Sequence, residues 1–328
     1  MITKTMSKKE VLIKLAEQSL EGDKFSLAKI ISIFENTKPE YYEYKNIIID
    51  YLKNKNLHKG YFLGITGTPG AGKSTLTGKL ALELINKQND IRVAILAVDP
   101  SSEVSGGSLL GDRTRVKLPI NEKRIYFRSQ ASDKELGGLS KHTFNVCRVL
   151  YYLFDYIFLE TVGIGQSEIE IQHIADHVFL VLQPLTGDQI QFMKAGIMEI
   201  PDAFIINKWD QEKEAQKTYY ALKSTLSFIR PNSKEIPIFR VSAYSGFGIN
   251  DLIEYIISLK QNSNDLSTSL TKKEIFYFEK WVKNQYGLKG LEILNEKGGA
   301  STFLREHGSF DLAIQEFSKL RYTFDSYE

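Results

Sequence analysis

The sequence predicts an α/β protein in which helices cover both faces of a mainly parallel sheet, with further helices before and after it. Short apolar runs alternate with helical patterns between residues 59 and 261, as they do in parallel sheets. Apolar residues recur at three- and four-residue spacing in the flanking segments. We therefore expect an N-terminal helical extension over residues 1–58, an α/β domain over 59–261 and a C-terminal helical region over 262–328.

The N-terminal extension contains three segments with the periodicity of amphipathic helices. Their sequences are KKEVLIKLAEQSL, SLAKIISIFEN and PEYYEYKNIIIDYLKN. The stretch SLEGDKFS, which spans the end of the first segment and the start of the second, predicts a turn.

The α/β domain contains six runs that predict strands, and a polar stretch follows it. The runs are YFLGIT, RVAILAVD, YIFLET, HVFLVLQP, AFIINK and IPIFRVSA. Aromatic and branched residues dominate them, as expected for strands that are buried on both faces. From about residue 262, QNSNDLSTSLT predicts a polar linker, and two or three amphipathic helices then begin with KKEIFYFEKWVKNQYG.

The composition suits a globular protein and argues against two classes of partner. Of 328 residues, 42% are hydrophobic and 25% are charged, and the net charge is +2. This balance provides no electrostatic attraction for nucleic acid or for an anionic membrane. Cys147 is the single cysteine, no signal peptide pattern opens the chain, and no apolar run approaches the roughly 20 residues of a membrane span. We therefore expect a cytoplasmic protein.

The segment from Gly67 to Ser74 matches the phosphate-loop pattern G-x-x-x-x-G-K-[ST], between a predicted strand and a predicted helix. Glycines in such a loop let backbone amides converge on phosphates, and the helix N-terminus adds positive potential. Lys73 is expected to reach the β- and γ-phosphates, and Ser74 to coordinate Mg²⁺. The predicted phosphate-binding residues are Gly67, Thr68, Gly70, Ala71, Gly72, Lys73, Ser74 and Thr75.

Two carboxylates at the ends of predicted strands complete the metal side of this site. Glu160 ends YIFLE, and Asp99 ends RVAILAVD. In a parallel sheet these ends lie beside the phosphate loop, where carboxylates can hold Mg²⁺ or its waters. The alternative is that each acid caps a helix or lies at the surface. Gly163 and Gly165 follow Glu160 and allow the next segment to rearrange around a γ-phosphate.

The tetrapeptide NKWD, which overlaps the end of the run AFIINK, indicates a guanine base. Asp210 can accept hydrogen bonds from guanine N1–H and the exocyclic amine, a pair of donors that adenine does not present. Lys208 can lie along the base plane, and Asn207 can brace the loop and the base edge. Backbone amides in the later segment VSAYSG can meet the guanine oxygen. The predicted base-binding residues are Asn207, Lys208, Asp210, Ser242, Ala243 and Tyr244.

In this order the motifs resemble those of the MeaB/ArgK family of P-loop GTPases, the chaperones of adenosylcobalamin-dependent acyl-CoA mutases. The resemblance covers nearly the whole chain and depends on GDKFSLAKIISIFEN, GITGTPGAGKST, AVDPSS, GGSLLGDRTR, ETVGIGQSE, GDQIQFMKAGIMEI and NKWD. It implies a Mg²⁺-dependent GTPase that binds GTP and GDP, protects a mutase such as methylmalonyl-CoA mutase and gates its cofactor loading. It also implies a homodimer joined partly by C-terminal helices.

The resemblance assigns roles to residues in three segments that are expected to move. Asp112 in GDRTR corresponds to the acid of the first switch that reaches Mg²⁺, and the second switch contains Gln166 and Glu168. A third segment, which relays the nucleotide state to the mutase, contains Asp188, Gln189 and Lys194. The implied catalytic residues are Lys73, Asp112 and Lys194, and the implied metal ligands are Ser74, Asp99, Asp112 and Glu160.

The sequence departs from the family pattern at a few positions. Thr68 stands where proline is usual, and Arg113 where lysine is commoner. Trp209 lies inside NKWD and is expected to pack beside the base loop, which is the loop formed by residues 207–210. Arg113 and Arg115 either stabilise charge on the γ-phosphate or pair with acids of the first switch, and both interpretations stay open.

Two other functions stay open from the sequence. ArgK-type sequences also have an older description as kinases of an amino-acid transport binding protein, although a guanine signature argues against a kinase. Metal-delivery GTPases have a similar core but contain His-rich or Cys-containing metal sites. This chain has one cysteine and five scattered histidines, and its pair His173 and His177 lacks the pattern of a third ligand.

Overall fold

The computed structural model of the chain describes residues 6–55, 59–99, 116, 118–119, 121–131, 142–161, 170–184, 196–229, 236–263 and 265–320. The chain divides into two compact units, a sheet unit and a helical unit. Within the described ranges, no helix is long and apolar enough to cross a membrane.

The sheet of the described chain has seven strands, and every adjacent pair is parallel. The strands are β1 (Tyr61–Gly67), β2 (Val93–Asp99), β3 (Ile125–Ala131), β4 (Tyr156–Glu160), β5 (His177–Leu182), β6 (Ala203–Ile206) and β7 (Ile238–Arg240). Their order across the sheet is β3-β2-β4-β1-β5-β6-β7. The predicted parallel sheet is confirmed, and β3 is an edge strand that the sequence patterns did not predict.

The central strands of the sheet define the edge at which a ligand can bind. β1, β4, β5 and β6 are buried along their whole length, which explains their near-continuous apolar sequences. β1 lies between β4 and β5, and its register pairs Ile65 with Glu160 and Gly67 with Val181. Because all strands are parallel, their carboxyl ends share one edge. Later strands lie on both sides of β1, a topological switch point where α/β sheets bind ligands.

The described residues contain ten α-helices and two short 3₁₀ helices. The α-helices are α1 (Lys8–Leu20), α2 (Lys24–Glu35), α3 (Glu40–Lys55), α4 (Lys73–Lys87), α5 (Thr143–Leu153), α6 (Glu212–Ile229), α7 (Ile249–Gln261), α8 (Leu266–Glu296), α9 (Gly299–His307) and α10 (Phe310–Lys319). The 3₁₀ helices cover Ile171–His173 and Gly196–Glu199.

Helices α4, α6 and α7 belong to the sheet unit. α4 follows the phosphate loop and buries Leu76, Leu80 and Leu84, which lie four residues apart and therefore on one helix face. It packs against β1, β2, β4 and α7, while α6 packs against β6. This packing fixes the N-terminus of α4 at the carboxyl edge of the sheet.

Helices α1–α3, α5 and α8–α10 form the helical unit. Ser7 and Glu10 form a capping box at the start of α1, and Asp23 caps α2. The three predicted N-terminal helices are confirmed to within two residues at each end.

The helical unit buries a network of charged side chains. Arg148 of α5 donates to Asp311 at 2.8 Å and to Glu274 at 3.0 Å, and its side chain is 2% exposed. Lys45 of α3 is fully buried and donates to the backbone oxygen of Asn36 at 2.7 Å. Each buried cation thus has an acceptor, as desolvated charges require.

Helix α8 corrects the predicted polar linker. The helix begins directly after Asp265, whose carboxylate accepts hydrogen bonds from the backbone amides of Ser267 and Thr268. Residues 266–271 are therefore the first turns of a helix, because the capping acid satisfies amides at a helix start rich in serine and threonine. The helix is broken at Gly287 (φ 65°, ψ −153°), where the predicted helix ended.

Candidate functional site

The loop that starts at the end of β1 has three glycines with positive φ, and at two of them an added side chain would also collide with a neighbouring residue. Gly67 has φ 141° and Gly72 has φ 81°. A Cβ on Gly67 would lie 2.0 Å from the carbonyl oxygen of Val181, and a Cβ on Gly72 would lie 2.7 Å from Nδ2 of Asn207. These glycines therefore let the loop lie close to β5 and to the residue after β6.

Lys73 opens α4 and folds back over the same loop. Its ammonium donates to the backbone oxygens of Gly67 at 2.9 Å and Thr68 at 3.2 Å, and the side chain is buried. Gly72, the N-cap of α4, brings no side chain to the helix N-terminus. The ammonium and the amides of the first turn give the loop a positive potential that suits phosphate oxygens.

Ser74 and Glu160 place oxygen atoms side by side at the edge of the loop. Ser74 Oγ donates to Glu160 Oε1 at 2.5 Å, and Glu160 is 6% exposed. Hydroxyl and carboxylate oxygens are hard ligands of the kind Mg²⁺ prefers, so this pair fits the predicted metal. Asp99 is the last residue of β2, next to β4. Two predicted ligands thus touch, and the backbone of a third ends at the same edge.

Asn207 connects three parts of the site. It is 2% exposed, and its Nδ2 donates to the backbone oxygen of Ala71 in the phosphate loop at 2.9 Å. Its Oδ1 accepts from the amide of Ala243 at 3.1 Å, and its own amide donates to Leu182 of β5 at 2.8 Å. The base motif is therefore held against both the phosphate loop and the segment that contains Ala243.

A hydrogen bond from a buried serine holds the carboxylate that is predicted to recognise the base. Ser242 is fully buried, and its Oγ donates to Asp210 Oδ1 at 2.5 Å. Asp210 itself is exposed. The hydrogen bond from Ser242 therefore orients a carboxylate that faces solvent. Tyr244 is 94% exposed. Thr75, in the first turn of α4, is also exposed.

Trp209 packs beside the base loop, as the sequence predicted. Its amide donates to the backbone oxygen of Val241 at 3.0 Å, and the Arg240 guanidinium lies 5.5 Å from its ring centroid. The ring also packs against the apolar cluster that contains Phe204 and Leu222. These contacts tie the loop to the sheet unit.

Gln183 belongs to this site although the sequence patterns did not identify it. It follows β5 directly, and its Oε1 accepts a hydrogen bond from Lys208 Nζ at 3.0 Å. A Cβ on Gly70 of the phosphate loop would lie 3.6 Å from the same oxygen. One feature of the sequence could have identified Gln183: it directly follows a predicted parallel strand, in the same way that Asn207 directly follows β6.

Several predicted residues lie outside the described part of the chain, and their roles stay predictions. They are Asp112, Arg113, Arg115, Gly163, Gly165, Gln166, Glu168, Asp188, Gln189 and Lys194.

The histidine pair lies apart from these motifs. His177 begins β5 as predicted, and its ring packs against Phe179 and Tyr255. His173 ends the first 3₁₀ helix. Over the described ranges, no group of three or more His, Cys, Asp or Glu side chains is placed to hold a metal ion.

Comparison with known sequences shows which family this arrangement resembles. Residues 27–286 match the family described as methylmalonyl-CoA mutase-associated GTPase MeaB. A Pyrococcus horikoshii protein described as a GTPase is 39% identical over 277 residues, which are 82% of this chain and 84% of that protein. The mitochondrial methylmalonic aciduria type A homologue of Caenorhabditis elegans is 32% identical over 232 residues, which are 66% of this chain and 57% of that protein.

Comparison with solved structures shows the same fold. A crystal structure described as LAO/AO transport system kinase superposes with a TM-score of 0.65 and covers 97% of this chain and 100% of its own. The two sequences are 20% identical. At this identity the similarity concerns the fold and does not transfer an activity.

Proposed function

The chain belongs to the MeaB family of methylmalonyl-CoA mutase-associated GTPases, and on this premise we propose its particular role. It is a GTP hydrolase. We propose that it protects an adenosylcobalamin-dependent acyl-CoA mutase, with methylmalonyl-CoA mutase as the first candidate, and gates the loading of the mutase's cofactor. The observation that carries the proposal is the extent of the family match, which continues beyond the nucleotide motifs into α2 and α3 on one side and α8 on the other.

In the proposed complex, the nucleotide lies along the carboxyl edge of the sheet. The phosphates occupy the loop between Gly67 and Ser74, where Lys73 exchanges its backbone acceptors for β- and γ-phosphate oxygens. The guanine ring lies against Lys208, with Asp210 accepting from its N1–H and amine. The hydrogen bond from Ser242 supports this proposal, since it holds Asp210 in one orientation before the base arrives.

We propose that Ser74 and Glu160 hold Mg²⁺, together with Asp99 and with Asp112 of the first switch. The contact between Ser74 and Glu160 supports this assignment, because the pair presents both a hydroxyl and a carboxylate. When bound, Mg²⁺ neutralises charge on the β- and γ-phosphates. The chain's own contribution is to keep the Ser74 hydroxyl and the Glu160 carboxylate together, at the start of α4 and the end of β4.

The proposed role is tested by GTP turnover with and without the mutase. We expect slow basal phosphate release that rises at least severalfold when a cognate adenosylcobalamin-dependent mutase is added, because the partner completes the catalytic site. Lys73→Ala serves as the control and should release little phosphate in either condition, since it lacks the cation at the β- and γ-phosphates. If no acyl-CoA mutase of the same organism stimulates turnover, the chaperone role is wrong even though the chain is a GTPase.

We also propose a homodimer joined partly by the C-terminal helices, as the family resemblance implies. Light scattering of the purified chain checks this directly. The expected mass is twice that of one chain, and a mass of one chain at micromolar concentration contradicts the proposal.

A further inference from the structure

Gln183 lies where the phosphate loop, β5 and the base motif meet. Leu182, the last residue of β5, pairs with Ile206, the last residue of β6, so Gln183 and Asn207 leave adjacent strands at the same level. Gln183 precedes Pro184, and a residue before proline is restricted to extended backbone conformations. Its side chain therefore starts from a defined direction at the strand end.

The carboxamide of Gln183 has one orientation that satisfies its neighbour. A lysine ammonium has only donors, so the atom that faces Lys208 must be the carbonyl oxygen. The 3.0 Å contact between Lys208 Nζ and Gln183 Oε1 fixes this choice. The carboxamide also faces Gly70, where a Cβ would meet Oε1 at 3.6 Å and Nε2 at 4.0 Å.

Lys208 combines an uncommon backbone conformation with a flexible side chain. Its backbone has φ 58°, a left-handed conformation that is uncommon for residues with a side chain. A lysine side chain also loses considerable rotamer freedom when it is fixed along a base. A carbonyl acceptor can reduce that loss before the ligand binds, and it leaves the positive charge of the ammonium uncompensated for the nucleotide.

We propose that Gln183 is a positioning residue for guanine nucleotide binding, which orders Lys208 over the base pocket from a place beside Gly70 of the phosphate loop. The proposal rests on the guanine nucleotide site proposed above. Because Gln183 acts through Lys208, its effect on affinity should vanish when Lys208 is removed.

A double-mutant cycle on GDP binding tests this dependence. The variants are Gln183→Met, which keeps the side-chain length and removes the acceptor, Lys208→Met and the double variant. Affinity and dissociation rate are measured for each with a fluorescent GDP derivative. We expect Gln183→Met to weaken binding about tenfold, the scale of a hydrogen bond to a charged group, mainly through faster dissociation.

The double variant separates positioning from packing. We expect it to bind GDP within about twofold of Lys208→Met, because Gln183 then has no lysine to hold. Gln216→Met, at an exposed position of α6, is the control and should bind as the wild type does. Wild-type affinity in Gln183→Met, or additive losses in the double variant, would overturn the proposal. Failure of the wild-type protein to prefer GDP over ADP would instead contradict the guanine site itself.

Discussion

In the proposed guanine site, Asp210 is the single residue that sets the choice of nucleotide. Its carboxylate is exposed but is held by the buried hydroxyl of Ser242, so the acceptor is oriented before the base arrives. Guanine presents two donors to such an acceptor, whereas adenine would leave a desolvated carboxylate without them. An unpaired buried polar group is the feature by which binding sites reject close analogues most strongly.

The first prediction at this scale is a change of base preference in Asp210→Asn. GDP affinity should fall at least about a hundredfold, while xanthosine diphosphate should bind better than GDP, because the asparagine amide can donate where xanthine presents an oxygen. Competition against a fluorescent nucleotide measures both affinities. Asp90→Asn, at an exposed position outside the described site, is the control and should leave both unchanged. Unchanged preference in Asp210→Asn contradicts the base assignment.

A second prediction concerns the metal side. Ser74→Ala removes a hydroxyl that contacts Glu160, so Mg²⁺-dependent GTP hydrolysis should fall by at least about tenfold. GDP affinity measured without Mg²⁺ should change less than hydrolysis does. Steady-state phosphate release over a range of Mg²⁺ concentrations is the measurement, with Ser227→Ala of α6 as the control at an exposed position. Hydrolysis at the wild-type rate would remove Ser74 from the metal site.

At the scale of secondary structure, the phosphate loop depends on glycine for two separate reasons. The positive φ of Gly72 disfavours any side chain, and a Cβ there would also meet Nδ2 of Asn207 at 2.7 Å. That nitrogen donates to Ala71, so displacing it disturbs the link between the loop and the base motif. Gly308 has a similar φ of 74° but has open space around it.

These two glycines form a matched pair for a third prediction. Gly72→Ala and Gly308→Ala should each reduce the free energy of unfolding by about 1 kcal/mol or more through the backbone alone. Only Gly72→Ala should also weaken GDP binding, by at least roughly thirtyfold, because it moves Asn207. Calorimetric titration and denaturant unfolding measure the two effects. Equal GDP affinity in both variants would show that contact with Asn207 does not matter.

Elements with uniform patterns could be predicted from the sequence, and elements that depend on a single residue could not. The six predicted strands are apolar runs, and most are buried throughout. β3 lies at the sheet edge, where Arg128 and Gln130 interrupt the apolar pattern. The start of α8 has the polar composition of a linker, but Asp265 caps it as the first turn of a helix.

The candidate site was predictable where a motif specifies it. The phosphate loop and the base motif follow known spacings, and the structure brings them together through Asn207. Gln183 could not be predicted from spacing, because its contact with Lys208 depends on the order of β5 and β6 in the sheet. Such a pairing is a property of the fold and is absent from any local pattern.

At the scale of the molecule, stability of the helical unit depends on pH through Lys45. Burial lowers the pKa of this lysine to about 8, with Asp311 opposing the shift and Arg148 adding to it. The folded chain therefore gives up this proton at lower pH than the unfolded chain, whose lysine keeps its ordinary pKa of 10.5. Between these values the unfolded state binds more protons, so the free energy of unfolding gains from this residue as pH rises.

The fourth prediction follows from this increase in the free energy of unfolding with pH. Lys45→Met should be more stable than the wild type at pH 7, and its advantage should shrink by up to about 1 kcal/mol per pH unit between pH 8 and 10. Denaturant unfolding at several pH values measures the difference, with Lys9→Met, at an exposed position of α1, as the control. A stability difference that does not change with pH would show that Lys45 titrates normally.

The placing of α5 in the helical unit has a consequence for synthesis on the ribosome. Arg148 leaves the ribosome 126 residues before Glu274 and 163 residues before Asp311. At bacterial or eukaryotic translation speeds, the time between synthesis of Arg148 and synthesis of Asp311 is on the order of ten seconds. The nascent chain can therefore complete its parallel sheet first, whereas both ion pairs of Arg148 in the helical unit can form only after residue 311 has been synthesised. A message that ends before codon 311 yields a polypeptide in which the guanidinium lacks its closest anionic partner.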